Sequence, residues 1–352
     1  MHDSLIPRPD TLQVGWGWFQ ILLTLTFTIH VLLMNAMVGG AVVTLLGGLR
    51  RSGPPLLAAR DIAGRVPTLI ALAVNAGVAP LLFMQVLYGH LFYSSSIVMA
   101  SWWFSLIPLL IIGYYAAYGT ALKFDRPIRR PLTVVTLLIL LFIAFLWVNN
   151  NTMTLDPSRW AAWFTAPGGV TLNLGEPTLW PRYLHMIFGA LAVGALFVAL
   201  IQDNRAREGD TEAAEARDWA MRLFTHGTLA VMAVGIWWLM VLREDVMKLF
   251  MGGSIAASVA LLLGIATGVY ALICGFLRKM RLTVALTVVT VLVMVIVREF
   301  VRTGMLAGQY HPSELEVVPA ISPLILFLGV FAVGIVCVVY MLKLAARAGQ
   351  EG

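Results

Sequence analysis

The stretch Trp16–Leu49 reads WGWFQILLTLTFTIHVLLMNAMVGGAVVTLLGGL and contains no Asp, Glu, Lys or Arg. A helix needs about 20 apolar residues to cross the hydrocarbon core of a bilayer, and this stretch exceeds that length before Arg50 and Arg51 end it. It therefore predicts a membrane-spanning helix. The stretch has one imidazole, His30, about a third to half of the way along it.

Eight further apolar stretches of comparable character follow. The 352-residue chain is 60% hydrophobic and 12% charged, with a mean hydropathy of +0.86, which is too apolar for a soluble globular protein. We therefore expect an all-α fold, a polytopic membrane helix bundle with about nine transmembrane helices that forms a single membrane domain over residues 1–352. The eight further stretches are Thr68–Leu91, Trp102–Leu122, Leu132–Val148, Leu179–Ile201, Met221–Leu242, Ile255–Phe276, Leu282–Val297 and Ile321–Leu344.

The longest connection in this pattern is Asn149–Thr178, which contains Trp160 and Trp163. Tryptophan is enriched where a membrane meets water. Two interpretations stay open, a segment that lies along the membrane interface and a plain loop.

The Lys and Arg residues are divided unequally between the two sides of the predicted bundle. Seventeen of the 24 fall in the connections after the first, third, fifth and seventh stretches and in the C-terminal tail. The positive-inside rule therefore predicts an N-terminus outside and a cytoplasmic C-terminus. Because the net charge of +6 is spread over short connections, nucleic acid is not an expected partner.

Four groups that can bind iron lie in these stretches or at their ends: His30, His90, His185 and Glu299. With the predicted orientation, all four fall in the outer leaflet. Ionisable groups are costly in hydrocarbon and usually functional there, so the cluster predicts a metal site, and haem iron is the expected occupant. For any single histidine, a hydrogen bond between helices explains the residue equally well.

Local patterns around these groups occur in a recognisable order along the chain. The patterns are Phe27–Leu32 with Gly39, Asn75–Val78 with Met84, Gln85 and Gly89, Tyr183–Met186 with Gly189, Gly194 and Phe197, and Arg298–Arg302. In this order the chain resembles a shortened, divergent subunit I of the cytochrome bd quinol oxidases over nearly its whole length.

The resemblance implies haem b, in one to three copies, and a quinol as ligands. It implies His30, His185 and Glu299 as haem ligands. His90 is the first choice as partner of His185, and a five-coordinate haem at His185 is the alternative. Arg298 and Arg302 are expected to pair with haem propionates or with the carboxylate. The resemblance further implies a bacterial or archaeal cytoplasmic (inner) membrane and a second membrane subunit. Haems in the outer leaflet would suit an extracytoplasmic c-type cytochrome as partner.

The chain also departs from the family pattern. Gln85 and Ile112 stand where the family carries carboxylates linked to oxygen reduction, and Ala260 stands near the expected place of a methionine ligand. These departures predict that the chain does not reduce oxygen itself.

The long quinol-binding loop of the family is reduced here to Arg243–Lys248. Glu244, Asp245 and Lys248 are the expected quinol-binding residues, because they can hydrogen-bond a head group and accept its protons. A solvated turn is the competing interpretation of the same run.

Three functions follow from this sequence. The first is a haem-b-containing subunit of a respiratory complex that transfers electrons between quinol and an outer-face partner, which would make it a component of an oxidoreductase. The second is a bd-like terminal quinol oxidase subunit that reduces oxygen. The third is a cofactor-free, proton-coupled transporter in which the membrane histidines and carboxylate relay protons.

Overall fold

The structure, a computed structural model, describes residues 6–319 and 321–348. In this part of the chain the regular elements are helices, and nine of them are long and apolar enough to cross a membrane. The predicted all-α, polytopic membrane bundle is confirmed. The orientation of the termini and the extent of the single domain stay predictions.

The helix bounds follow the predicted stretches, with additions at several ends. The apolar stretch Ile255–Phe276 has the predicted bounds, whereas two short helices, Pro54–Ala63 and Glu244–Lys248, were not predicted. The helices are α1 Trp16–Gly48, α2 Pro54–Ala63, α3 Val66–Val98, α4 Ala100–Leu122, α5 Arg129–Thr154, α6 Leu179–Arg207, α7 Thr211–Val241, α8 Glu244–Lys248, α9 Ile255–Phe276, α10 Met280–Met305 and α11 Ile321–Ala348.

Among the helices that are longer than the apolar pattern predicts, α5 and α7 are continued by polar groups. Helix α7 begins ten residues before Met221, where the Asp210 carboxylate caps it by accepting from the Ala213 N–H at 3.0 Å. Helix α5 continues through Asn149 and Asn150, which are buried. The Asn149 side chain accepts from the backbone N–H of Asn173.

The connection between α5 and α6 contains a short 3₁₀ helix, Pro157–Phe164. Trp160 is buried there, and its indole N–H donates to the Met153 carbonyl at 2.9 Å. The aromatic segment is thus tied to the end of α5.

Glycines allow α1 and α6 to approach at backbone distance. A Cβ on Gly39 would lie 1.9 Å from the Ala190 carbonyl oxygen, and one on Gly194 would lie 2.5 Å from the Gly39 Cα. Small residues permit this close approach between membrane helices. The contact fixes α6, which carries His185, against α1, which carries His30.

Helix α3 bends at Tyr88, whose backbone angles (φ −131°, ψ 19°) are not helical. At this bend the Tyr310 hydroxyl, from the segment after α10, donates to the Leu87 carbonyl. Nearby, the segment before α1 is joined to the segment after α10, because Leu12 and Val317 form an isolated parallel bridge. Its two hydrogen bonds, Leu12 N to Glu316 O and Val318 N to Leu12 O, are both 2.7 Å long.

At the opposite end of the bundle, four aspartates and four arginines form what we call the aspartate network. Asp203, with 8% of its side chain exposed, accepts from Arg207 at 2.8 Å and from Arg217 at 3.2 Å. The network consists of two sets of ion pairs, one around Arg205 and the other around Asp203 and Asp218, which together join α2, α6, α7 and the segment after α9. Its members are Asp61, Asp203, Asp210, Asp218, Arg205, Arg207, Arg217 and Arg278.

Candidate functional site

Glu299 lies near the end of α10 and is bound on both carboxylate oxygens. Arg298 donates to one oxygen at 2.9 Å, and Arg302 donates to the other at 3.0 Å. Gln20 of α1 donates its amide N–H to the same oxygen as Arg302, at 3.1 Å. The carboxylate is only 15% exposed, so these contacts hold a buried anion in place.

Arg182 of α6 joins these residues to form a group that we call the arginine cluster, Arg182, Arg298, Arg302 and Glu299. Arg182 and Arg302 are buried, and Arg182 is close enough to both other arginines for their charges to repel. Glu176 is within electrostatic range of Arg182, but its carboxylate accepts from the N–H and hydroxyl of Thr178.

The charges in the arginine cluster do not balance within the described part of the chain. Three guanidinium groups face one directly paired carboxylate, Glu299. Nε of Arg182 and Nη2 of Arg302 are buried without a hydrogen-bond partner. Unpaired buried donors cost about 1–3 kcal/mol each, and more when charged, so the cluster is suited to an additional anion.

His30 is held in one tautomer by α3. Its Nδ1 lies 3.0 Å from the Ala73 carbonyl oxygen, and because a carbonyl only accepts, Nδ1 carries the proton and donates. Nε2 then keeps its lone pair, which is the arrangement found in metal-binding histidines. A Cβ on Gly77 would lie 2.9 Å from the His30 Cε1, so this glycine makes room for the ring.

His185 and His90 each have one ring nitrogen that is buried and unpartnered, Nδ1 in His185 and Nε2 in His90. The His185 ring lies 5.6 Å from the Trp238 ring, and a Cβ on Gly235 of α7 would lie 3.3 Å from it. The His90 ring lies 4.4 Å from the Tyr310 ring. The two histidines thus contact different neighbours, and their pairing on one iron stays a prediction.

Aromatic rings connect the histidines to the arginines. Phe27 lies 6.2 Å from His30 and under the Arg298 guanidinium at 4.5 Å. Trp238 lies next to His185 and under Arg182 at 5.1 Å. The predicted site residues therefore belong to one region of the bundle, where cation–π and ring contacts join them.

His90 reaches the arginine cluster through two tyrosines. Arg302 lies 4.5 Å above the Tyr88 ring, and the Tyr88 and Tyr310 rings are 5.9 Å apart. Burial raises the pKa of Tyr310 above its ordinary value, so its hydroxyl stays protonated and donates to the bend of α3.

No three His, Cys, Asp or Glu side chains converge on a bare metal ion in residues 6–319 and 321–348. Two narrow crevices near the other end of the bundle are lined by none of the four predicted ligands.

The three predicted quinol residues lie on the surface. Lys248 pairs with Glu244 at 2.6 Å, both largely exposed, and Arg243 binds both oxygens of Asp245, at 2.6 and 2.8 Å. The hydrogen bonds from Arg243 hold the pKa of Asp245 below its usual value. These charges are satisfied within the turn, and the quinol role of the three residues stays a prediction.

The residues at the departures from the family pattern differ in their surroundings. Ile112 is 53% exposed on α4, whereas Gln85 of α3 and Ala260 of α9 are half-buried. None of the three contributes to the arginine cluster.

Sequence reasoning missed several residues of the site. Arg182 was used only to count charges for the orientation, although it precedes His185 by three positions and so shares its helix face. Its Nη1 donates to the Asn151 side chain. Gln20, Tyr88 and Trp238 had no signal in the sequence, because their roles depend on contacts between helices.

No protein-family model and no curated protein matches this chain. Among solved structures, it is similar to one described as "The structure of bd oxidase from Geobacillus thermodenitrificans", with a TM-score of 0.67 and 13% sequence identity. The alignment covers 92% of this chain and 96% of that chain. At this identity the likeness shows the fold, so the chain is a multi-pass membrane protein with a bd-oxidase-like helix bundle.

Proposed function

We propose that this protein is a haem-b-containing membrane subunit of a respiratory complex. In this proposal it transfers electrons between a quinol and a partner on the outer face and does not itself reduce oxygen. The observation that carries the proposal is the surplus of buried positive charge in the arginine cluster beside histidines with unpartnered ring nitrogens. The bd-oxidase-like fold supports it.

The residues present fit a haem. Its two propionates are anions, and the unpaired donors of Arg182 and Arg302 are suited to bind carboxylates. Nε2 of His30 and the unpartnered ring nitrogens of His90 and His185 would hold the haem iron. Haem supplies one-electron redox chemistry at the iron when it is bound.

The remaining residues orient these ligands and adjust their electrostatics. The Ala73 carbonyl fixes the tautomer of His30, and Trp238 shields His185 from water. Glu299 offsets part of the positive charge of the arginines and of ferric iron. The balance between Glu299 and the arginines then sets part of the reduction potential, since surplus positive charge favours the reduced state.

The proposal extends to partners and place. A quinol would bind near Glu244, Asp245 and Lys248, and electrons would pass to an extracytoplasmic c-type cytochrome. A second membrane subunit and a bacterial or archaeal cytoplasmic membrane complete the proposal. The polytopic bundle itself supports a lipid environment.

A bd-like terminal quinol oxidase is the second candidate, and the fold likeness favours it. The two candidates differ in their final electron acceptor. Oxygen consumption by the purified complex with quinol separates them, because only the oxidase consumes oxygen.

Reduced-minus-oxidised spectroscopy of the purified protein tests the proposal. We expect a b-type α-band, a b-type pyridine haemochrome, and loss of distinct spectral components in His30→Ala, His90→Ala, His185→Ala and Glu299→Ala. His226→Ala is the matched control, because the His226 Nδ1 donates to the Arg222 carbonyl of its own helix at 2.7 Å and its ring is exposed.

Two results would overturn the proposal. One is protein without Soret absorption when it is purified from haem-sufficient cells, which would favour the cofactor-free transporter. The other is an unchanged spectrum in all four variants.

A further inference from the structure

Three consecutive asparagines, Asn149, Asn150 and Asn151, lie in the last two turns of α5. Because successive residues of an α-helix point about 100° apart, their side chains contact three different elements. Asn149 accepts from a backbone N–H of the connection between α5 and α6, and Asn150 donates to serine hydroxyls of α3. Asn151 accepts from Nη1 of Arg182 on α6. Asn151 is thus the asparagine that reaches the arginine cluster.

Arg182 is held between this asparagine and an aromatic ring. The Trp238 ring of α7 lies under its guanidinium at 5.1 Å, while Asn151 of α5 binds Nη1. Arg182 is buried, and its Nε has no hydrogen-bond partner among the described residues. A guanidinium is planar and its donors form a rigid fork, so a fixed Nη1 also fixes the direction of Nε. Asn151 therefore helps to determine where the unpaired donor points.

The acceptor that Asn151 provides is neutral. An amide oxygen accepts a hydrogen bond without carrying a charge, so Arg182 is oriented while its positive charge stays uncompensated. A carboxylate would form an ion pair, as Glu299 does with Arg302 at 3.0 Å. Asparagine and aspartate have nearly the same shape, so the choice between them at this position is a choice of charge. The amide preserves the surplus positive charge of the arginine cluster.

We propose that Asn151 is a positioning residue for Arg182. It orients the guanidinium for binding to a haem propionate, and because it is neutral it leaves the charge of Arg182 available to that anion. This inference rests on the proposed function, in which the arginine cluster binds the propionates of haem b. Asn149 and Asn150 have a different role, since they join α5 to its neighbours.

Two substitutions separate orientation from charge. Asn151→Asp keeps an acceptor of nearly the same shape but pairs with Arg182 and relieves its repulsion from Arg302. The haem-free protein should therefore gain Tm, while the dissociation constant of haemin, the ferric form of haem b, should rise about tenfold. Asn151→Leu removes the acceptor and leaves another buried donor unpaired, so the haem-free protein should lose Tm and haemin binding should also weaken.

The measurements are thermal unfolding and haemin titration of the full chain made under haem limitation. Haemin dimethyl ester, which has no free carboxylates, should bind equally well to the wild-type protein and to Asn151→Asp. In an Arg182→Gln background, Asn151→Leu should have no further effect on haemin binding, because the residue acts through Arg182. Gln309→Glu is the matched control for added charge, because Gln309 is exposed in the segment after α10, and it should leave haemin binding unchanged.

Weaker binding of haemin but not of its dimethyl ester in Asn151→Asp supports the proposal. If Asn151→Leu does not fold, Asn151→Asp carries the test, since it keeps the hydrogen bond. Unchanged haemin binding in the Asn151 variants of a protein that binds haemin would overturn this inference and leave the proposed function standing. An equal effect of Asn151→Leu with and without Arg182 would also overturn it. Wild-type protein that binds no haemin would overturn both.

Discussion

The arginine cluster and the aspartate network lie at opposite ends of the same bundle, and they differ in how closely their positive and negative charges balance. In the aspartate network, four arginines meet four aspartates, and Asp203 alone accepts from two arginines. In the arginine cluster, three guanidinium groups meet one directly paired carboxylate, and two of their nitrogens lack a partner.

This difference distinguishes charges that stabilise the fold from charges that are suited to binding a ligand. Charges that are satisfied within the chain stabilise the fold, and nothing more is required to explain them. Charges that are buried and left over cost free energy unless something outside the chain satisfies them. The aspartate network is therefore expected to matter for stability with or without ligand, and the arginine cluster for binding.

The largest expected effect is the loss of stability caused by a substitution in the aspartate network. Asp203→Asn removes the charge of a carboxylate that is 8% exposed and weakens its hydrogen bonds with Arg207 and Arg217, so the free energy of unfolding should fall by about 2 kcal/mol. Thermal unfolding in detergent measures this, and the haem spectrum should not change. Asp125→Asn, at an exposed pair, should change the free energy by less than about 0.5 kcal/mol. Equal effects of the two substitutions would contradict the structural role of the network.

The next substitution should weaken haem binding without destabilising the haem-free protein. Arg182→Gln removes one of three mutually repelling charges, so the haem-free protein should not lose stability. Haem affinity should fall about tenfold, or about 1.4 kcal/mol. Haem titration of protein made under haem limitation measures both quantities. Arg159→Gln is the control, because Arg159 pairs with Asp156 at an exposed position. A haem-free Arg182→Gln protein as unstable as Asp203→Asn would mean that the surplus charge is structural.

A smaller effect should follow from crowding His30. In Gly77→Ala the new methyl group would lie 2.9 Å from the His30 Cε1, so the imidazole ring would have to shift. The spectral component assigned to His30 should shift in wavelength or potential. Gly268→Ala, whose methyl group would lie 3.5 Å from the nearest side-chain atom, should leave every component unchanged. A shift in both variants would indicate a general loosening of the bundle.

The smallest expected effect on stability concerns the exposed ion pair of Arg243 and Asp245. It provides a baseline for the effects expected in the arginine cluster and in the aspartate network. Because Arg243 lowers the pKa of Asp245 below 3.8, the charged carboxylate stabilises the folded state above that pH, and this contribution is lost as the pH falls below it. Asp245→Asn should therefore lower Tm slightly at pH 7, and this difference should disappear as the pH falls through the lowered pKa of Asp245. A pH series of thermal unfolding measures the difference. A larger loss in acid than at pH 7 would have the wrong sign.

Much of the fold could be predicted because a spanning helix is a property of local composition. The stretch Ile255–Phe276 has polar boundaries on both sides, and its predicted bounds agree with the structure. Helix α7 was predicted ten residues too short, since its first turns are charged and form part of the aspartate network. Helix α2 is short and less apolar than the spans, so composition alone did not distinguish it from a loop.

The candidate site could be predicted only in part. A histidine or glutamate in an apolar stretch is visible in the sequence, and so is its approximate depth. The tautomer of His30 depends on a carbonyl 43 residues away, and the surplus charge depends on α6 and α10 coming together. Those facts require three-dimensional contacts, and the haem ligands themselves stay predictions.

The bridge between Leu12 and Val317 has a consequence for biogenesis. The two segments that it joins lie almost a whole chain length apart in the sequence. The bridge can therefore form only after the ribosome has synthesised nearly every spanning helix. Until then, the segment that carries Tyr310 has not covered the bend of α3.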